Sequence, residues 1–279
     1  MTFRSFIFVV LTAALLVGCG TLRVENRIDT ANALAKSGSL TPLRLKTSKF
    51  LLAGFQRVTK TGAPITLYIE GDGFAWVDKY TISSNPTPRN PLALKLAGAD
   101  KSDNVIYLSR PCQFIDIETE PFCQNRQWTS HRFSRDIING FHETLNWISK
   151  KYGSAGFHLV GFSGGGAVAA ILTAERRDIL SLRTIGGNLD HAALNAAKNV
   201  SPLTGSINPI NTAVQTRNIP QIHYSGENDT VVPAWISARY VRVVGNSPCA
   251  TAKIIMGASH LEGWEGIWPQ LGHDIPPPC

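Results

Sequence analysis

The stretch Phe157-His158-Leu159-Val160-Gly161-Phe162-Ser163-Gly164-Gly165-Gly166-Ala167 constrains the fold more than any other part of the chain. A short apolar run of strand type passes through Gly-x-Ser-x-Gly into a long alanine-rich segment, Ala167–Arg176, that favours a helix. A tight strand-to-helix turn of this kind pushes a serine hydroxyl outward and aims the following backbone N–H at a developing oxyanion. Glycines at 161 and 165 leave room for the turn, so Ser163 is the candidate nucleophile.

The surrounding pattern alternates strands with helices. Strands are expected at Phe50–Phe55, Ile65–Glu70, Asn104–Ser109, Phe157–Phe162, Leu182–Ile185, Pro220–Ser225 and Ala252–Met256. Helices are expected near 91–98, over Arg135–Tyr152 with Gly153 as its stop, after Ser163, and near 233–244. Such alternation predicts an α/β fold with a mainly parallel sheet covered by helices on both faces. Functional residues then gather beyond the carboxyl ends of the strands, which is where Ser163, Asp229 and His260 fall.

A nucleophilic serine needs a base, and an imidazole base needs a carboxylate to fix its tautomer. Asp229 sits in the turn Gly226-Glu227-Asn228-Asp229-Thr230-Val231-Val232-Pro233, and His260 in Ser259-His260 after the final strand. Together with Gly161-Phe162-Ser163-Gly164-Gly165, over residues 50 to 275, these segments resemble the α/β-hydrolase superfamily. The resemblance implies the α/β-hydrolase fold, Ser163 as nucleophile, His260 as general base and then acid, and Asp229 as the orienting carboxylate. Asp229 could instead cap a helix, and Asp190, after the preceding strand, is the alternative acid. Gly71-Asp72-Gly73 occupies the place of the family's oxyanion loop, with Glu70 where a histidine is often found. The expected oxyanion-hole donors are the N–H groups of Asp72 and Gly164, with Gly73 as the substitute. Phe74, Trp76 and Trp264 flank these loops as candidate pocket walls. His158 and His223, inside strands, are expected to pack, and the other histidines have no comparable context.

The first residues differ in kind from the rest. Arg4 precedes the apolar run Phe6–Val17, which matches the core of a secretory signal, and Leu16-Val17-Gly18-Cys19 resembles the lipobox of bacterial lipoproteins. The expected organisation is a signal peptide at 1–18, a tether at 19–48 lipidated at Cys19, and a hydrolase domain at 49–279. Gly20 after the cysteine implies, by the same resemblance, a periplasm-facing anchor in the outer rather than the inner membrane. The other four cysteines form an even number, as suits an oxidising compartment. Of three pairings, Cys112 with Cys123 and Cys249 with Cys279 are favoured: one closes a short loop and the other tethers the proline-rich tail. No Cys-x-x-Cys or His-rich spacing points to a metal.

The formal charge is +7, but the basic residues are scattered without an aromatic-interleaved stripe, which argues against a nucleic-acid partner. The expected partners are a small-molecule ester and, through Cys19, a lipid membrane. The expected function is hydrolysis of carboxylic esters, with thioesters or amides as further substrates, through an acyl-enzyme and with no cofactor. The alternative is a catalytically inactive lipoprotein that keeps the scaffold as an envelope binding or assembly module.

Overall fold

The computed structural model describes residues 24–245, 247–272, 276 and 279. Cys19 and the apolar run before it lie outside the described residues, as does His273. Eight strands form one sheet: β1 (Thr41–Lys46), β2 (Leu51–Val58), β3 (Ile65–Ile69), β4 (Asn104–Leu108), β5 (Phe157–Phe162), β6 (Ile179–Ile185), β7 (Gln221–Gly226) and β8 (Ala250–Ile255). Their spatial order is β1-β2-β4-β3-β5-β6-β7-β8. β1 and β2 pair antiparallel, β2 meets β4 antiparallel, and every pairing from β4 through β8 is parallel.

The helices are α1 (24–37), α2 (Leu92–Ala99), α3 (Arg135–Tyr152), α4 (Gly164–Glu175), α5 (His191–Ala197), α6 (Trp235–Val244) and the short α7 (Trp268–Leu271). They cover both faces, because parallel strands are buried on both sides. Along β3 the period of two is explicit: Ile65, Leu67 and Ile69 join a core with α3, α4 and α6, while Tyr68 joins the opposite core with α1, α2 and α7. α3 places Ile137, Ile138, Phe141, Leu145 and Ile148 on its buried face and ends at Gly153, which is left-handed at φ 59°. α4 is buried along nearly its whole length, packed between the sheet and the turn Pro209–Thr216, which is why its residues are mostly glycine and alanine. Among the described residues, no helix is long and apolar enough to cross a membrane.

The tether expected at 19–48 is not a tether where the structure describes it. α1 and β1 belong to the packed body: Ala31, Ala35, Leu40, Leu43 and Leu45 are buried. Their signal is weak because α1 presents two alanines to the core, and β1 only two leucines on alternate positions within a polar run. The long excursion between β4 and α3 is tied by the Cys112–Cys123 disulfide, and Cys249 pairs with Cys279.

Candidate active site

Ser163 stands at the point where β5 turns into α4, with φ 50° and ψ −117°. A non-glycine residue at positive φ is held there only when its surroundings enforce it, at a cost of about 1–3 kcal/mol. Ser163 N–H donates to Ile185 O, and its own carbonyl accepts from the N–H groups of Gly166 and Asn188. Gly165 is required by close approach: a Cβ there would lie 2.2 Å from Ile69 O. β3 and the start of α4 therefore touch backbone to backbone, which sets the 70–73 loop beside the serine.

His260 Nε2 lies 3.0 Å from Ser163 Oγ, and His260 Nδ1 lies 2.8 Å from Asp229 Oδ2. The other oxygen of Asp229 accepts from the N–H groups of Val231 and Val232 at 2.8 Å each. One oxygen of Asp229 thus faces the imidazole and the other caps the turn that follows. Asp229 is buried and His260 nearly so, and the imidazole packs against Phe162 with centroids 5.1 Å apart.

Asp190, the alternative acid, is committed elsewhere. It caps α5 through Ala193 N–H, accepts from Asn208 Nδ2, and pairs with Arg239 Nε at 2.7 Å. These partners hold its carboxyl below the usual range despite the opposing effect of burial. Although Asp190 follows β6, its carboxylate is taken up by the α5 cap, Asn208 and Arg239.

Gly186, just after β6, has no part in the sequence reading. Its φ is +52°, and a Cβ there would lie 2.9 Å from Asp229 Oδ2 and 3.1 Å from His260 Nδ1. The Asp229–His260 pair fits only because this position carries no side chain.

The expected oxyanion donors lie on adjoining segments. A Cβ on Gly71 would sit 3.3 Å from Ser163 Cβ, and the Asp72 carboxylate rests against the α-carbon of Gly164. Among the described residues, the N–H groups of Asp72 and Gly164 enter no hydrogen bond. Gly164 also opens α4, where the helix N-terminus favours negative charge. Gly73, the substitute donor, is left-handed at φ 69°.

The Asp72 carboxylate is gripped by two arginines absent from the sequence reading: Arg110 Nη1 and Arg132 Nη1, each at 3.1 Å. Arg110 Nη2 also donates to Arg132 O, so both ends of the disulfide-tied excursion converge on the 70–73 loop. Behind the loop, buried Glu70 accepts from Gly71 N–H at 2.9 Å and from the Tyr107 hydroxyl at 3.2 Å. Burial pushes its carboxyl up to about 7, against the opposing pull of the N–H groups of Gly71, Ala93 and Leu94.

Two cavities meet at Ser163. One of about 490 Å³ runs past Asn188, Leu194, Leu203 and Val232. The other, about 430 Å³, runs past Phe74, Arg89, His260 and Leu261. Asp72, Trp76, Arg132, Ser163 and Val231 line both. Phe74 and Trp76 are therefore pocket walls as expected, but Trp264 is not. It is fully buried in the core with Nε1 donating to Ser259 O, bracing the His260 loop from behind. His223 is fully buried, Nδ1 on Thr184 and Nε2 on Gln221, and His158 packs less deeply against Ser181. Among the described residues, no three His, Cys, Asp or Glu side chains come together to hold a metal.

Residues 94–256, more than half of the chain, match the family described as serine hydrolase (FSH1). That span holds Ser163 and Asp229 and stops short of His260. Among solved structures, the chain is similar to an esterase of Pyrococcus furiosus at TM-score 0.59 and 15% identity, covering 84% of this chain and 88% of that one. It is also similar to an alpha-beta serine hydrolase homologue from Coxiella burnetii, at TM-score 0.56 and 13% identity over 82% of this chain and 92% of that one. Est1E from Butyrivibrio proteoclasticus aligns at TM-score 0.56 and 12% identity, covering 83% and 95%. At such identities these structures establish the α/β-hydrolase fold and nothing finer. No curated protein matches the chain in sequence.

Proposed function

The chain belongs to the serine hydrolase (FSH1) family, and from that premise we propose that it cleaves carboxylic esters through a Ser163-His260-Asp229 acyl-enzyme mechanism. The observation that carries the reading is the hydrogen-bonded line from Ser163 Oγ through both imidazole nitrogens to Asp229. As Ser163 attacks the substrate carbonyl, His260 Nε2 takes its proton. Asp229 keeps Nδ1 protonated and stabilises the imidazolium that forms. The N–H groups of Asp72 and Gly164 receive the oxyanion, and His260 then protonates the departing alcohol. Water, activated by the same imidazole, releases the acid.

Cavities on both sides of Ser163 suit a substrate with bulk on both the acyl and the alcohol side of the scissile bond. Thioesters and amides have the same carbonyl geometry and are secondary candidates. An inactive scaffold has no need of a strained serine aligned with a paired histidine, so the geometry favours catalysis over an assembly role.

We also propose that the chain is exported and acylated at Cys19, which anchors it in the cell envelope facing the periplasm, in the outer membrane. The lipobox-like Leu16-Val17-Gly18-Cys19 and the two disulfides support this reading.

The catalytic reading is tested by hydrolysis of p-nitrophenyl butyrate. Turnover by the wild type that falls at least about 10³-fold in Ser163→Ala is the expected result. A Ser163→Ala protein that retains wild-type turnover overturns the mechanism.

A further inference from the structure

The rim of the cleft exposes several large apolar side chains. Trp76, Val231 and Leu261 line the cavities yet remain well exposed, and Val77, Tyr80 and Trp235 flank them. Tyr80 is 83% exposed and Val77 56%. Their position is fixed locally: Val77 N–H donates to Thr81 O, Trp76 bridges Ile82, and Asp78 accepts from the N–H groups of Tyr80 and Thr81. The hairpin thus holds an aromatic and a valine out at its tip, where among the described residues they stay largely exposed, with Lys79 Nζ 5.5 Å from the Tyr80 ring centroid. Lys79, Arg89 and Lys198 stand on the same rim. Amphipathic rings beside basic side chains are the composition that sits at a lipid headgroup boundary.

A second observation concerns where the chain enters the fold. Arg27, near the start of α1, donates from Nη1 to Thr87 O at 2.9 Å and lies 5.0 Å from the Phe74 ring centroid. Arg89 covers the same ring at 3.8 Å, and Phe74 and Arg89 both line the smaller cavity. The described chain therefore begins beside the cleft. Five peptide steps separate Cys19 from residue 24, where α1 begins, a reach of at most about 18 Å.

We propose that this rim is a bilayer-contacting face: the anchored protein sits with its cleft toward the membrane, and its substrates are esters bearing an apolar chain, drawn from the lipid-water boundary. The inference rests on the ester-hydrolase and Cys19-anchor readings above. Charge complementarity between the rim's lysines and arginine, in a chain of formal charge +7, and anionic headgroups supports the same orientation.

The test uses the full chain reconstituted in phosphatidylethanolamine–phosphatidylglycerol vesicles. A fluorophore is placed at Tyr80→Cys or, as a far-side control, at Lys151→Cys. Lys151 is near the end of α3, and Tyr152 O accepts from Gly62 N–H in the turn before β3, at the end of the sheet away from the cleft. Quenching by a headgroup-linked nitroxide at least threefold stronger at position 80 is the expected result, and equal quenching, or stronger quenching at 151, overturns the orientation. In a second arm, a Val77→Ser/Tyr80→Ser/Trp235→Ser protein is assayed on p-nitrophenyl palmitate in the vesicles and on water-soluble p-nitrophenyl acetate. A fall of fivefold or more on the first with the second unchanged supports a lipid-borne substrate. A parallel fall on both, or no fall on either, overturns it. Absence of acetate hydrolysis in the wild type refutes the ester-hydrolase reading instead, while the quenching still decides the orientation.

Discussion

Substituting Gly186 with alanine tests whether the Asp229–His260 pair is held by space rather than by strength of attraction. The new Cβ would stand 2.9 Å from Asp229 Oδ2 and 3.1 Å from His260 Nδ1, where ordinary contact needs roughly 3.4 Å or more. Relief requires a displacement of about half an ångström. That stretches a hydrogen bond now 2.8 Å long toward the limit of a productive one. Misplacement of about 1 Å costs on the order of 10²-fold in rate, and full loss of the carboxylate's role in a triad about 10⁴-fold. Gly186→Ala is therefore expected to lower kcat by about 30- to 300-fold on a soluble ester, with KM within about threefold of wild type. The positive φ adds a stability cost of about 1 kcal/mol. Gly62→Ala supplies the control: φ is +81° there and a Cβ would meet nothing within 4 Å, so it loses similar stability with no loss of kcat. The assay pairs steady-state kinetics with urea unfolding on both variants. A Gly186→Ala enzyme within threefold of wild-type kcat, or one no worse than Gly62→Ala, would refute the reasoning.

The two candidate acids separate cleanly: Asp229→Asn is expected to lower kcat about 10³- to 10⁴-fold with the fold intact. Asp190→Asn should leave kcat within about twofold while unfolding about 1–2 kcal/mol more easily, because it weakens the α5 cap and the Arg239 pair; kinetics and denaturation on both variants check this. Glu70 makes stability depend on pH, since its carboxyl is pushed from an ordinary 4.5 up to about 7. Across that window the folded chain keeps a proton that the unfolded chain has released, so stability from this group is complete below about 4.5 and lost as pH rises through 7. The loss totals on the order of 3 kcal/mol. Urea unfolding at pH 5 and pH 8 should show this slope in the wild type and a shallower one in Glu70→Gln; equal slopes contradict it.

What could be read from the sequence was local. The periodicity of Ile137, Ile138, Phe141, Leu145 and Ile148 with Gly153 behind it marked α3 at its observed bounds, and the turn around Ser163 announced itself by glycines that permit backbone contact. Strand order was not legible, because it is decided by pairings between segments far apart in the chain. For the same reason Arg110 and Arg132 escaped notice: they reach Asp72 only after the Cys112–Cys123 excursion folds back over the 70–73 loop. Asp190 and Asp229 both follow parallel strands, so spacing could not choose between them; the direction in which each turn aims its carboxylate does. Trp264 lies near His260 in sequence but is carried into the core by the Ser259–Trp264 turn.

The central claim is that Ser163 is an activated nucleophile driven by His260, and covalent labelling by a fluorophosphonate tests it most directly. The account predicts a single adduct, mapped by mass spectrometry to Ser163, that disappears in Ser163→Ala and slows by orders of magnitude in His260→Ala. A folded wild type that takes up no probe, or labelling that persists unchanged without His260, would contradict it.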